Sequence, residues 1–545
     1  MERVDQMSSM QDWPLLVWKL IDHAAVTAPR QEIVTQTVEG SLHRTNWKEV
    51  RARSRKVARA LQQLGIGVGD RVGTLAWNTY RHVECWYGIS GIGAVAHTVN
   101  PRLFDDQIVY IMNHAADRIL LLDLTFVELI ERIAPRLETI ERFVILTDRE
   151  HMPKSDIGFE CYEELLNRET EDFEWIAVDE RTPAGLCYTS GTTGNPKGVL
   201  YTHRSNVLQT FACSQAAVFN LSSQSVVLPI VPMFHANAWA IPYAAALAGA
   251  KLVMGGPHHD AKTLQRLIET EGVTVTAAVP TVWLAMLQHL VQTGSQLGAL
   301  KRVVIGGSAA PRSMIEAFER DLNIEVIHAW GSTELSPLGT ACTLTPEAAA
   351  LPFEQRLDLQ CKQGRPVFGV EMKIVDDQGA ELPRDGQTAG NLKVRGPWVI
   401  AEYFHDESAR PLDAEGWFDT GDIATLDDQS YMQITDRSKD LIKSGGEWIS
   451  SVELENAAVG CPGIAEAAVI GVPHPRWSER PLLVLVRSPE SETSRDDVRA
   501  YLEGRIAKWW MPEDIVFEPA IPHTATGKIL KTVLREQFAG FVAAN

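Results

Sequence analysis

Apolar positions along the chain follow two periods. Over residues 48–64 they recur at helical spacing (Val50, Val57, Leu61, Leu64), and the pattern stops at Gly65 and Gly67, where residues without a Cβ can leave the helix. Short apolar runs at 71–76, 119–124, 143–146, 273–279 and 303–305 predict strands buried on both faces. Alternation of such strands with helical stretches predicts an α/β fold of mixed sheets packed by helices. One unit reads as a strand at 302–305, the turn Gly306-Gly-Ser-Ala-Ala-Pro311, a helix at 312–321 with Pro311 in its first turn, and a strand at 325–328. Such a turn can present backbone amides to a nucleotide, and is equally a common structural turn.

The character of the chain changes near residues 436–440. Upstream, residues 416–434 are β-rich; downstream, runs at 467–472 and 482–486 predict an antiparallel pair, and 451–458 and 496–507 predict helices. At 545 residues the chain exceeds what one hydrophobic core usually serves. The expected division is a large N-terminal layered α/β domain, 1–436, and a small mobile C-terminal α+β domain, 437–545.

Composition narrows the partners. With 51 Lys+Arg against 70 Asp+Glu the formal charge is −19, which disfavours nonspecific binding to nucleic acid or to an acidic membrane surface. An anionic ligand must then meet a local cluster of donors. Seven scattered cysteines without a CxxC pair suggest neither a disulfide framework nor a zinc site. The first residues carry early acids and no apolar core, and the most apolar stretch, 238–250, is interrupted by Pro242; a cytoplasmic protein is the simplest expectation.

Candidate chemistry begins at Tyr188-Thr-Ser-Gly-Thr-Thr-Gly-Asn-Pro-Lys197. Thr189, Ser190, Thr192 and Thr193 offer hydroxyls, Gly191 and its fellow glycines let backbone amides approach phosphate oxygens, and Lys197 supplies charge. A Walker loop needs Gly-Lys-Ser/Thr, whereas Lys197 follows Pro196 and precedes Gly198, so a P-loop kinase is disfavoured. The string closely resembles the signature of the adenylate-forming superfamily, which comprises acyl-CoA synthetases, luciferases and peptide-synthetase adenylation domains.

Further stretches resemble that family's elements in order. In His328-Ala-Trp-Gly-Ser-Thr-Glu334 the resemblance implies that Trp330 covers adenine beside Gly331, that Thr333 contacts the α-phosphate, and that Glu334 holds Mg²⁺, shared with Thr189. Gly307, Ser308 and Ala309 complete the implied ATP site. Asp422, in Gly416-Trp-Phe-Asp-Thr-Gly-Asp422, and Arg437 would grip the ribose; Asp436 stands where the family commonly has Gly. Lys439 falls at the family's hinge. Lys443-Ser444-Gly445-Gly446-Glu-Trp448 resembles the turn that meets CoA, with Trp448 against the nucleotide or simply packed between domains. Lys528, in Thr524-Ala-Thr-Gly-Lys528, matches the catalytic lysine, and His523 stands where Lys or Arg is common.

The resemblance implies an ATP-dependent acyl-CoA synthetase using ATP, Mg²⁺, CoA and a small carboxylic acid through an acyl-adenylate; relatives of this kind are often homodimers. Phe234-His235-Ala-Asn-Ala-Trp239 falls where the family builds its acyl pocket. The absence of Asp at His235 argues against an amino acid, and His235 is carried among the catalytic candidates. His235 and Trp239 would share a helix face. Val279, Trp239 and Trp283 offer apolar wall or plain core packing, and Gly306 leaves space. These motifs most resemble bacterial medium-chain fatty acid–CoA ligases and 3-(methylthio)propanoate–CoA ligases. Loading of a carrier-protein thiol, a luciferase-type oxygenase and a non-catalytic nucleotide-binding relative remain as alternatives.

Overall fold

A computed structural model describes residues 10–189, 195–406, 409–437, 439–444, 447–489, 491–523 and 529–541, with 447 and 448 described as backbone. The helical pattern after residue 46 becomes helix Trp47–Gln63. Asn46 caps it by accepting from the Glu49 N–H at 3.0 Å, which satisfies one of the donors a helix start leaves open. The predicted apolar runs become strands Arg71–Leu75, Asp117–Leu122, Arg142–Ile145, Val275–Ala278 and Arg302–Ile305.

Four sheets organise the described residues. A seven-stranded sheet is parallel except where Pro183–Tyr188 pairs with Gly198–Thr202. A nine-stranded sheet has a parallel centre that runs Glu325–Gly331, Arg302–Ile305, Val275–Ala278, Val226–Pro229, Lys251–Met254, Glu32–Gln36, with antiparallel strands at both edges. Residues 371–437 form a four-stranded antiparallel sheet. Beyond it, a five-stranded sheet with its helices buries its own apolar set, including Ile442, Leu454, Val469, Leu483 and Ile515.

Three local expectations are corrected. Pro311 stands one residue before helix Arg312–Glu316, at its N-cap, where the extended ψ that ends the glycine turn is still required. The last five residues of the expected helix, Ala317–Asp321, widen into a π turn. The expected helix over 496–507 ends at Leu502, because the chain turns at Gly504 with φ +76°, a conformation that suits glycine. All seven cysteines are free, and no described helix is long and apolar enough to cross a membrane.

One buried carboxyl ties the fold to the wall behind the site. Asp123 accepts the Trp77 N–H at 2.7 Å, and the Trp77 ring packs on Phe126, Phe234 and His259. Burial pushes Asp123 up from 3.8 to about 7. Since folding makes this carboxyl harder to ionise, its contribution is complete below its unfolded pKa and is lost as pH rises through about 7. Asp123→Asn should therefore flatten the fall in melting temperature between about pH 4 and pH 7, measured by calorimetry against wild type. Equal pH slopes in both proteins would refute this.

Candidate active site

The carboxyl ends of the parallel strands open into one cavity of about 320 Å³. Val226–Pro229 leads into Ile230 and His235, Val275–Ala278 into Val279, Arg302–Ile305 into Gly306 and Gly307, and Glu325–Gly331 ends in Trp330 and Gly331; all of these line the cavity. A crevice beyond strand ends is where open α/β sheets bind ligands, since the strand order there diverges to leave space. The strand Val226–Pro229 lies between Lys251–Met254 and Val275–Ala278, which makes it such a divergence point.

Strands Pro183–Tyr188 and Gly198–Thr202, which bracket the hydroxyl-rich run, pair antiparallel. Tyr188 pairs with Gly198, the Thr189 N–H donates to the Lys197 carbonyl at 2.9 Å, and the Lys197 N–H donates to Thr189 Oγ1 at 3.1 Å. A strand follows the loop where a Walker loop would be followed by a helix. Lys197 Nζ lies 4.7 Å from the centre of the Tyr403 ring, and the Tyr403 hydroxyl donates to Glu334 Oε1 at 3.1 Å. Burial, with the Glu334 charge second, pushes the Tyr403 phenol well up, so it stays a proton donor. Thr333 is held by its carbonyl, which accepts the Tyr201 hydroxyl at 2.7 Å. Thr189, Lys197, Thr333 and Glu334 thus share the cavity with His235 and Trp239.

A second cleft of about 290 Å³ adjoins the first through Gly307, Trp330, Gly331 and Arg437. Ser308, Ala309, Asp422 and Lys439 face it from one side, and Glu455, His523 and Lys531 from the other. Asp422 and Arg437 stand opposite each other on adjacent strands, and their side chains pair at 3.3 Å. Trp330 Nε1 donates to Asp422 Oδ2 at 2.9 Å, which fixes the indole. Burial pushes the Lys439 ammonium down. Asp436 is wholly buried and accepts from Ser451 N at 2.7 Å and Ser451 Oγ at 3.0 Å. Its departure from glycine ties the strand end to the first turn of helix Ser451–Val459. Ser444 is buried and accepts from Arg480 at 3.2 Å; Lys443 donates its N–H to Glu479 at 2.9 Å. Ser190, Gly191, Thr192, Thr193, Gly445, Gly446, Lys528 and the Trp448 side chain lie outside the described residues.

The expected helix face for His235 and Trp239 is replaced by a left-handed turn. Ala236, Asn237, Ala238, Trp239 and Ala240 have φ between 43° and 59°, which costs an L-residue about 1–2 kcal/mol each. Buried Asn237 holds the turn, donating to Asn206 Oδ1 at 3.2 Å, and the turn sets Trp239 against the cavity. A Cβ on Gly306 would sit 3.2 Å from Trp239 Cη2 and 2.9 Å from the Ala329 carbonyl, so only glycine leaves this passage open. Trp283 does not line the cavity. It is fully buried, and its ring meets Phe318 edge-on at 5.2 Å; Val279 and Val282 form the wall instead.

Tyr403, Tyr201, Arg102, His259 and Gln209 belong to this site's surroundings and were not found from the sequence. None sits in a motif; Tyr403 and Tyr201 reach the site by hydrogen bonds to Glu334 and Thr333, and Arg102, His259 and Gln209 line the cavity. His328 was read only as part of a motif. It is buried and held neutral, pushed down to about 4 by burial, and its Nε2 accepts the Ala310 N–H at 3.3 Å, which braces the glycine turn.

Residues 21–404 match the AMP-binding enzyme family, and residues 453–528 match the AMP-binding enzyme C-terminal domain. The chain is 50% identical to 3-methylmercaptopropionyl-CoA ligase of Ruegeria lacuscaerulensis, covering 98% of this chain and 99% of that one. It is 47% identical to medium-chain-fatty-acid–CoA ligase of Ectopseudomonas oleovorans, covering 96% of each. Among solved structures, anthranilate CoA ligase AuaEII in complex with anthranoyl-AMP matches with a TM-score of 0.86 at 25% identity, covering 97% of this chain and 99% of that one.

Proposed function

The chain belongs to the AMP-binding enzyme family, and from that premise we propose a reaction for the two adjoining cavities. It is an AMP-forming acid–thiol ligase: a carboxylate attacks the α-phosphorus of ATP and expels pyrophosphate, and the CoA thiol then attacks the adenylate carbonyl and expels AMP. One observation carries the reading. Lys197 and Glu334, groups suited to phosphate and metal, share a cavity with an apolar wall at the carboxyl ends of the parallel strands.

Residues 189–197 hold the β- and γ-phosphates, with Lys197 on the leaving pyrophosphate. Thr333 and Glu334 face the α-phosphate, and the Asp422–Arg437 pair takes the ribose while Trp330 lies along adenine. The donor set at Glu334 suits Mg²⁺. One carboxylate and the Thr189 hydroxyl are oxygen ligands, and the described residues contain no cluster of three or more His, Cys, Asp or Glu that could cage a metal ion. Mg²⁺ prefers such a site because it takes its remaining oxygens from phosphates and water. When bound, it offsets charge on the phosphate oxygens. The small domain from about residue 437 turns at Lys439, presenting Lys528 for the first step and residues 443–448 to CoA for the second.

The cavity volume of about 320 Å³ lies at the small end of the roughly 300–1,000 Å³ range for small-molecule sites. With Trp239 as a wall beside Gly306 it favours short and medium acids, including 3-methylmercaptopropionate. The test is acid-dependent ATP–pyrophosphate exchange without CoA, over C3 to C12 acids and 3-(methylthio)propanoate; exchange with none of them overturns the reading. Trp239→Ala should raise the kcat/KM ratio for octanoate over butanoate about tenfold, the gain from about one to two further methylenes buried in the space opened, at roughly 0.8 kcal/mol each. An unchanged chain-length profile would remove Trp239 from the pocket wall.

A further inference from the structure

One side chain of the acid cavity is left without partners. Gln209, on helix His203–Ser214, is 1% exposed and lines the cavity. Neither its amide oxygen nor its amide nitrogen has a hydrogen-bond partner among the described residues. Its neighbours on the same helix are satisfied. Asn206 accepts from Asn237, and the Thr210 and Ser214 hydroxyls each donate to a backbone carbonyl one turn back at 2.7 Å. The same cavity is lined by the apolar Val218, Phe219, Ile230, Ala278 and Val304.

A buried amide with both ends open is unfavourable, and native interiors keep few of them unless a ligand or water completes them. A hydrocarbon chain offers this amide nothing. A sulfur or oxygen within the chain offers an acceptor, weak for a thioether and stronger for an ether. We propose that Gln209 is a specificity-determining residue whose amide N–H donates to an acceptor heteroatom in the acyl chain, so that the enzyme prefers thioether or ether acids to fatty acids of the same shape. This rests on the reading of the cavity as the acid site. The preference runs against simple hydrophobicity, which would rank the all-carbon acid first.

Three acids of equal heavy-atom count decide it: 3-(methylthio)propanoate, 3-methoxypropanoate and pentanoate, compared by ATP–pyrophosphate exchange. Wild type should prefer the thioether over pentanoate about threefold to tenfold, the range of a weak sulfur contact. The difference should lie in KM, because the contact is remote from the reacting carboxylate and is made equally in ground and transition states. In Gln209→Leu the ratio should fall to within about twofold of unity, with 3-methoxypropanoate losing most, since an ether oxygen is then buried unpaired. Gln209→Met serves as a second variant of similar volume, and the wild-type comparison needs no variant at all. Equal use of the three acids by wild type, or a ratio unchanged by either substitution, overturns the role of Gln209 alone. Exchange with none of the three overturns the acid-activating reading and this inference with it.

Discussion

Lys528→Ala should slow acyl-adenylate formation by about two to three orders of magnitude, the usual effect of removing one preorganised charge from a developing transition state. A carboxylate is a weak nucleophile and the phosphate it attacks is anionic, so in the proposed reaction a lysine at the reacting end would offset their repulsion. His523 and Ile529 line the cleft that also holds Asp422 and Arg437. Thioester formation from added adenylate and CoA should change by no more than about threefold, because the proposed mechanism uses the lysine in the first half-reaction only. Single-turnover measurement of each half-reaction separates the two. An unchanged adenylation rate, or an equal loss in both steps, would remove Lys528 from its assigned role.

The second large effect is expected at Asp422. It is 6% exposed, pairs with Arg437 and accepts the Trp330 indole N–H, so in the proposed site one carboxylate would organise both the ribose and the adenine contacts. Asp422→Ala should raise the KM for ATP about 100-fold. Losing two hydrogen bonds to a charged group, at roughly 1.5–3 kcal/mol each, accounts for that factor or more. Trp330→Phe keeps a ring but removes its N–H, and should cost about tenfold at most. A nucleotide titration on both variants checks the order. If Asp422→Ala binds ATP as wild type does, the second cleft is not the nucleoside site.

Much of this site was legible because its pieces are short and contiguous. The hydroxyl and glycine run at 188–197, the string from His328 to Glu334 and the turn ending at Asp422 each carry their chemistry within a few residues, and the structure brings Thr189, Thr333, Glu334 and Trp330 to one cavity. The strands that aim them were legible too, since strands buried on both faces read as unbroken apolar runs. Trp283 and Gln209 were not. Periodicity tells which residues share a helix face but not which face meets a cavity, and Trp283 went to the core beside Phe318 while Gln209 faced the ligand space. The turn at Ala236–Ala240 escaped for another reason. Five consecutive left-handed non-glycine residues oppose local preference and persist only under tertiary restraint.

The sequence by itself determined the reaction class, because phosphate handling needs particular donors at close spacing and those spacings are written along the chain. It also determined the layered α/β architecture through its apolar periods. Only the tertiary structure decided which side chains line the cavity. Tyr403 reaches Glu334 and Gln209 stays open in the wall through packing between segments far apart in sequence, and no local pattern encodes which distant surfaces will meet.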